Sequence, residues 1–302
     1  MAITTISELA DTVDTIHEKA MLTSQFSNPM AALSWKIAKG KGHSTVNVPY
    51  FGIVVANNLS EGIDMTTSQT MEDTNVVVTL KEVGAKIILT DVALEDDLEE
   101  LQGIAGNMLG IAVGKKQDTD LLALLDNGTN GVCGADSTLT MGHLAAAKAL
   151  LLGNAESAGG PAPSPYVVVI HPFATLDLID VLTPVAPIGL KDAVASSVGW
   201  QASSINMSQE VLSNYTMSRL FGMDIVEDGN LSIDTSGDIK GGVFSRGQNG
   251  AIILATARSW EVRPERDESL RAFELNCVGR YGIGNYLNDW TVEVYCDATT
   301  PA

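Results

Sequence analysis

Glycine recurs at helical spacing in a segment that otherwise has the pattern of one long helix. Residues 101–118, LQGIAGNMLGIAVGKKQD, carry Gly103, Gly106, Gly110 and Gly114. Each glycine in a helix interior costs roughly 0.5–1 kcal/mol relative to alanine. At 100° per residue the glycines fall within about 80° of one another, so they form one groove without side chains. Close approach of another backbone to this groove would offset the lost helix stability.

Two explanations fit this glycine stripe. It lies on a long spine helix against which a sheet or the N-terminal segment packs tightly, or it occurs by chance in a kinked helix. Apolar residues keep helical spacing over residues 91–125, about 50 Å of helix, with a break near 115–120 as the alternative. The acidic residues that precede the stripe exclude a dimerising membrane helix. They are Asp91, Glu95, Asp96, Asp97, Glu99 and Glu100.

Composition restricts the classes of function. The chain has 302 residues, of which 45% are hydrophobic and 18% charged, and its net charge is −19. The low charge fraction indicates either a surface covered by partners or a large core. Direct recognition of duplex DNA needs a basic stripe, which the sequence lacks, whereas an acidic wall that merely encloses DNA fits. The widely spaced Cys133, Cys277 and Cys296 match neither a disulfide framework nor a zinc site. We expect neither a signal peptide nor a membrane helix.

An amphipathic segment and a hairpin precede the spine helix. Apolar residues recur at helical spacing over residues 3–22, and a hinge with lysines and glycines follows at 36–45. Runs of β-branched residues at 46–55 and 75–90 predict two strands around a long polar tip. A two-stranded hairpin buries little on its own. It therefore folds back onto the core or lies on a neighbouring molecule.

The second half predicts a mixed α+β order. A loop is expected at 126–140 and irregular structure at 184–206. Thr140 is the expected N-cap of a helix over 141–153, and Gly222 is the expected C′ residue of a later helix. The other predicted elements are helices over 173–182 and 208–222 and strands over 166–172, 223–233, 241–257 and 259–297.

Patterns typical of catalysis or ligand binding are incomplete in this sequence. His171 ends a predicted strand and has a structural or a catalytic interpretation, of which the structural one is preferred. The segment DNGTNG at 126–131 begins like a calcium loop but lacks ligands at its third and twelfth positions, and KGKGHST at 39–45 lacks phosphate-loop spacing. Asp118 and Asp120 form a carboxylate pair without a metal partner, interpreted as a solvated helix end. We predict that the chain is not an enzyme and that it has no catalytic residue, no metal site and no cofactor.

Arginine concentrates near the end of the chain, together with acidic residues. Such a ribbon forms ion pairs within or between subunits, or it is a solvated strand pair. The arginines are Arg258, Arg263, Arg266, Arg271 and Arg280, and the acids are Glu261, Glu265, Asp267, Glu268 and Glu274.

The order of these parts resembles the major capsid proteins of tailed bacteriophages of the Hong Kong 97 type. The clearest likeness is VNVPYFGIVVANNLSEGIDM followed by VVVTLKEVGAKIILTDVAL, which is similar to the extended loop of that family. There a P-x-x-G…EG stretch leads into a strand that ends in TD before the spine helix. The matching residues here are Pro49, Gly52, Glu61, Gly62, Thr90 and Asp91, and KKQDTDLL at 115–122 also resembles the family.

The resemblance implies an α+β capsid fold with a particular domain order. Its parts are an N-terminal arm (1–45), an extended loop (46–88), a peripheral domain with the spine helix (89–138), an axial domain (139–245) and closing strands of the peripheral domain (246–302). The arm and the extended loop would reach across neighbouring subunits. Expected inter-subunit contacts are Glu61, Gly62, Asp64, Lys81, Arg258, Arg263, Arg266 and Arg271, and expected spine-helix packing residues are Gly103, Gly106, Gly110 and Gly114.

The function implied by the resemblance is assembly of an icosahedral head that encloses double-stranded DNA without sequence-specific binding. The implied partners are copies of the chain in hexamers and pentamers, a separate scaffold protein, a portal protein and a decoration protein. The implied location is the virion, after assembly in the host cytoplasm. Lys81 lies on the hairpin, but no asparagine partner is identified and no crosslink is predicted. An encapsulin-like nanocompartment shell is the alternative with the same fold, and a soluble α+β enzyme is a more distant one.

Overall fold

The computed structural model describes residues 28–38, 44–52, 54, 56, 58, 61–62, 64, 68, 70–71, 73–95, 101–153, 160–182 and 219–297. Its helices are α1 (Met30–Leu33), α2 (Asp91–Glu95), α3 (Leu101–Leu122), α4 (Met141–Gly153) and α5 (Pro172–Leu182), with 3₁₀-helices at Ala123–Asn127 and Asn288–Trp290. Its strands are β1 (Trp35–Ala38), β2 (Thr45–Phe51), β3 (Asp73–Thr79), β4 (Lys81–Thr90), β5 (Asn130–Thr138), β6 (Tyr166–Ile170), β7 (Arg219–Leu220), β8 (Met223–Glu227), β9 (Asp238–Ser245), β10 (Ile252–Asp267), β11 (Ala272–Asn285) and β12 (Thr291–Asp297). The amphipathic segment 3–22 and the stretch 184–206 lie outside the described residues.

A four-stranded sheet and the spine helix α3 form the first layer pair. The strand order is β1-β10-β11-β4, with β1 parallel to β10 and the other neighbours antiparallel. Ala105, Leu109 and Val113 recur at helical spacing on one side of α3 and are buried against Leu89 and Leu275. The helix continues without interruption through residues 115–120, so the alternative of a break there is wrong.

A six-stranded sheet forms the second layer, in the order β5-β12-β9-β6-β8-β7. Strand β6 is apolar and buried at every position, as expected for a strand covered on both faces. The N-cap prediction for α4 is confirmed, because Thr140 Oγ1 accepts a hydrogen bond from the His143 N–H at 3.4 Å.

Two local predictions are wrong, the loop at 126–140 and the helix end at Gly222. The predicted loop over 126–140 contains the edge strand β5, whose glycines and polar residues hide the strand pattern. Residues 219–222 are not the end of a helix, because Arg219 and Leu220 form β7. Phe221 and Gly222 have φ of +50° and +76° in the turn to β8, where positive φ at both central residues suits a tight hairpin. Residues 208–218 lie outside the described part.

The two sheets share one core at the C-terminal end of the spine helix. Leu121 and Leu125 are fully buried in a cluster that contains side chains from both sheets. The closing strands are divided between the sheets: β10 and β11 belong to the first, whereas β12 pairs with β9 and β5 of the second. The last strand thus returns to the sheet of the expected axial region, not to the sheet beside the spine helix.

Adjacent leucines of α4 provide a matched test of this core. Leu151 is fully buried, whereas Leu150 is 37% exposed. We expect Leu151→Ala to lower the free energy of unfolding by about 2–5 kcal/mol, because it leaves a cavity. Leu150→Ala makes the same change in helix propensity and should cost about 1 kcal/mol or less. Chemical denaturation measures both, and equal losses would contradict the described packing of α4.

Candidate assembly surfaces

The β2–β3 hairpin is covered on one face by the rest of the subunit. Val46 and Val48 of β2 and Val78 of β3 are buried against Ile253 and Ala255 of β10. The Tyr286 hydroxyl donates a hydrogen bond to the Pro49 carbonyl at 3.2 Å. The base of the hairpin therefore folds back onto its own core, which is one of the two arrangements left open by the sequence.

The opposite face of the same hairpin is exposed and partly apolar. Val77 is 57% exposed and Phe51 is 55% exposed, each directed away from the buried valines by the alternation of the strands. Val54 and Met71, beyond the paired strands, are exposed as well. Exposed apolar side chains of this kind on one face of a hairpin are the feature expected of an interaction site.

The expected contact residues of the hairpin lie along its exposed parts. Glu61 and Gly62 form a turn, where Gly62 has φ of +79°, and Asp64 is exposed nearby in sequence. Lys81 begins β4 and is exposed opposite Tyr281 of β11. None of these positions is buried by the described part of the subunit.

The arginine ribbon lies on the long β10–β11 hairpin and is paired largely within the subunit. Arg266 donates to Asp91 at 2.9 and 3.3 Å and to Glu268 at 2.9 Å, which ties this hairpin to the start of α2. Arg258 pairs with Glu82 of β4, and Arg263 lies 2.8 Å from Glu261. The guanidinium of Arg263 lowers the pKa of Glu261.

These pairs are exposed, so they position the hairpin more than they stabilise it. Arg271 stands in the turn that joins the two strands. It has φ of +49°, and its carbonyl accepts the Asp91 N–H at 2.9 Å. The structure thus favours ion pairs within one subunit for the ribbon.

The glycine stripe lies beside the sheet-facing side of the helix, so of the two partners expected for it, the sheet does not pack on Gly106 or Gly110. The residues that meet the sheet, Ala105, Leu109 and Val113, lie about 100° around the helix from the stripe. A Cβ added at Gly106 or Gly110 would meet no described atom within 4 Å. Gly103 is exposed as well.

One glycine of the stripe does meet the residue that begins the described chain. A Cβ at Gly114 would lie 2.7 Å from Asn28 Nδ2. The N-terminal segment therefore approaches the stripe at its C-terminal end, while the Gly106–Gly110 part of the groove is open in the subunit.

Two other singled-out residues have structural partners. His171 is buried between β6 and α5, and its Nδ1 accepts the Phe173 N–H at 3.2 Å, so it caps that helix. Burial lowers the pKa of His171. Asp120 accepts the Tyr281 hydroxyl at 2.7 Å.

The interpretation of Asp118 as part of a solvated helix end is wrong, because this side chain is fully buried. Its Oδ1 accepts the Met30 N–H at 3.0 Å, and its Oδ2 accepts the Asn230 side-chain amide at 3.0 Å. Sequence reasoning missed Asn230 and the buried Asp228 because both lie in a loop without periodicity.

The described residues contain neither a helix suited to a membrane nor a group of metal ligands. No helix among them combines the length and the hydropathy needed to cross a bilayer. In those same ranges, histidine, cysteine, aspartate and glutamate side chains form no group of three that would hold a metal ion.

Residues 73–291 match the family described as phage capsid protein. The match spans more than half of the chain, so the chain belongs to the phage capsid protein family. No curated protein matches the chain significantly.

Solved structures similar to the chain are phage capsids and heads. The head structure of Helicobacter pylori bacteriophage KHP40 covers 99% of this chain and 100% of its own, with 9% identity and a TM-score of 0.68. The structure from Mycobacterium phage Che8 covers 93% of this chain and 97% of its own, with 15% identity and a TM-score of 0.67. The capsid structure of the cyanophage P-SCSP1u covers 95% of this chain and 93% of its own, with 13% identity and a TM-score of 0.67.

At sequence identities this low, the structural matches establish the fold alone, and the family match establishes the class of protein. The chain is a phage major capsid protein with the mixed α+β fold of tailed-phage capsids, and this fold is consistent with the Hong Kong 97-type prediction. It belongs to a family of structural proteins. The nanocompartment alternative is not favoured by these matches.

The open part of the stripe gives a test of stability. Gly110 is exposed, and a Cβ there would meet no described atom within 4 Å, so Gly110→Ala should raise the stability of unassembled subunits by about 0.5–1 kcal/mol. Gly114→Ala gains the same propensity but must displace Asn28, so a smaller gain or a loss is expected. Chemical denaturation compares the two. A loss of stability for Gly110→Ala would show that the groove is occupied within the subunit.

Proposed function

We propose that this capsid protein assembles as hexamers and pentamers of an icosahedral head that encloses double-stranded DNA. The observation that carries the proposal is the exposed apolar face of the β2–β3 hairpin, with Val77 and Phe51 more than half exposed. A hairpin covered on one face needs a partner for the other, and a second copy of the chain supplies one in a shell. The extended loop would thereby lie across its neighbour.

The charge of the chain supports enclosure of DNA rather than adhesion to it. A net charge of −19 repels the phosphate backbone, so packaged DNA would stay mobile against the inner wall. The sequence carries no basic stripe that would read bases or grip phosphates. The head would therefore hold DNA without sequence-specific contacts.

We also propose that the chain is divided into the domains that the resemblance implies. The boundaries are the arm at 1–45, the extended loop at 46–88, the peripheral domain at 89–138 and 246–302, and the axial domain at 139–245. The two sheets support a peripheral and an axial body, with β5 and β12 of the proposed peripheral segments pairing in the second sheet. A scaffold protein, a portal protein, a decoration protein and assembly in the host cytoplasm follow from the resemblance to tailed-phage capsid proteins.

The exposed residues of the hairpins are the proposed contacts between subunits. We propose that Glu61, Gly62, Asp64 and Lys81 meet a neighbouring subunit, since all of them are exposed. Arg258, Arg263, Arg266 and Arg271 lie on the exposed β10–β11 hairpin, where a neighbour would exchange or share their acidic partners. The open groove at Gly106 and Gly110 would admit the backbone of a neighbouring copy.

The hairpin face is tested by a charge and a matched polar control. Val77→Asp places a carboxylate on the exposed apolar face, so we expect folded subunits that form no closed particles in electron microscopy. Val77→Thr has nearly the same shape and should still assemble. Circular dichroism checks that both variants fold. Wild-type particles from Val77→Asp would overturn the assigned role of this face.

The groove and the cargo are tested separately. Gly106→Leu combined with Gly110→Leu fills the groove, so shells should be defective while the subunits remain folded. Normal shells would show that no neighbouring backbone enters the groove.

The cargo is tested on native wild-type particles, for which the ratio of absorbance at 260 nm to that at 280 nm should indicate nucleic acid. A ratio typical of protein alone, with an enzyme inside, would support the nanocompartment instead.

A further inference from the structure

Two buried carboxyl groups from distant parts of the chain lie together where three elements meet. Asp118 comes from the spine helix and Asp228 from the loop after β8, and both are fully buried. The third element is the arm root, which we define as residues 28–34. Its Met30 N–H donates to Asp118, and its Asn28 side-chain oxygen accepts from the Asn230 amide at 3.2 Å.

The hydrogen bonds account for three of the four carboxyl oxygens. Asp118 Oδ1 accepts from the Met30 N–H, and Asp118 Oδ2 accepts from the Asn230 amide at 3.0 Å. Asp228 Oδ1 accepts the Asn230 backbone N–H at 2.9 Å. Asp228 Oδ2 is buried without a hydrogen-bond partner among the described residues.

The unpartnered oxygen is explained by a proton. Asn230 donates to both groups, through its side-chain amide to Asp118 and through its backbone N–H to Asp228, so the two carboxyl groups lie close together. Two ionised carboxylates cannot hydrogen-bond to each other, whereas a protonated Asp228 can donate from Oδ2 to a neighbouring carboxylate such as that of Asp118. This one proton completes the set of hydrogen bonds and leaves a single negative charge, which the surrounding N–H groups solvate.

We propose that Asp118 and Asp228 share one proton and form a pH-sensitive latch that holds the arm root and the β8–β9 loop on the spine helix. Loss of the proton would place two like charges side by side in a site without water access, which favours separation of the three elements. The placement of the N-terminal arm would thus depend on the protonation of this pair.

The working pH range of the latch follows from the surroundings of Asp228. Burial and the neighbouring Asp118 raise the pKa of Asp228 from 3.8 to about 7, against the lowering effect of the Asn230 hydrogen bonds. The Asp228 backbone N–H donates to the Ile170 carbonyl at 3.0 Å. The next residue, directly after β6, is His171, whose pKa is lowered by burial. The other charged residues near the pair in sequence are Lys115, Lys116 and Asp120 on the spine helix, Glu227 on β8, and Lys36 beyond the arm root.

The sign of the dependence follows from linkage. The closed latch holds a proton up to about pH 7, whereas an opened, hydrated Asp228 holds one only below about 3.8. Opening therefore releases a proton between these values, and the opening equilibrium should rise about tenfold per pH unit. Above pH 7 both states have lost the proton, so the dependence levels off.

Hydrogen exchange of the arm root tests the latch in the full chain. After division by intrinsic exchange rates, exchange of residues 28–34 in the wild type should rise about tenfold per unit from pH 5 to 7 and level off above 7.5. Asp228→Asn supplies a permanent amide donor to Asp118, so its exchange should not change over this range. Asp224→Asn removes a partly exposed carboxyl on β8 and should behave as the wild type. A wild-type profile without the rise, or the same rise in Asp228→Asn, would overturn the proposal.

A second variant and a second signal separate the proton from a cation. Asp118→Asn removes the charge that raises the pKa of Asp228, so the levelling point should move to lower pH. Infrared spectra at pH 6 should show the carbonyl stretch of a protonated carboxyl in the wild type and not in Asp228→Asn. If added Ca²⁺ or Mg²⁺ instead stabilises the wild type but not Asp228→Asn, the pair binds a cation and the shared proton is wrong.

Discussion

Burial of the C-terminal end of the spine helix between the two sheets is the contact on which the other parts depend. The first turns of the helix pack on the four-stranded sheet through Ala105, Leu109 and Val113. Its last turn places Leu121 in the large core, and the 3₁₀-helix that follows adds Leu125. A methyl group on Gly242 of β9 would lie 3.0 Å from Leu125, so the second sheet approaches this end closely. One helix thereby belongs to both cores and fixes the two sheets relative to each other.

The same arrangement explains why the hairpin is available to a neighbour. Strands β1, β10 and β11 cover one face of the β2–β3 base, and no described element covers the other. Two strands with one buried face are marginal on their own, so burial of the second face in a shell adds stability to subunit and assembly together. Assembly and folding of the hairpin are therefore expected to be energetically coupled.

Sequence periodicity predicted what a regular pattern controls. The spine helix, the buried strand β6 and the N-cap Thr140 follow from local spacing and capping chemistry, and the order of parts was enough to indicate the capsid fold. Strand β5 was missed because its glycines and polar residues give no alternation at a sheet edge. The partner of the glycine stripe was misplaced because helical spacing shows which residues share a face and not which face meets the sheet. Asp118 was misread as solvated because its partners, Met30 and Asn230, are distant in sequence.

The buried carboxyl pair lies one turn before Leu121, at the point where the helix passes from one core to the other. A polar group there costs free energy unless every atom has a partner, so an apolar residue would stabilise the subunit more simply. The pair has an effect that apolar packing lacks, because its hydrogen bonds reach the arm root and the β8–β9 loop at the same time. A change in this one group therefore acts on the arm and on the contact between the sheets together. In the proposed shell, the placement of these elements would influence how one copy meets the next.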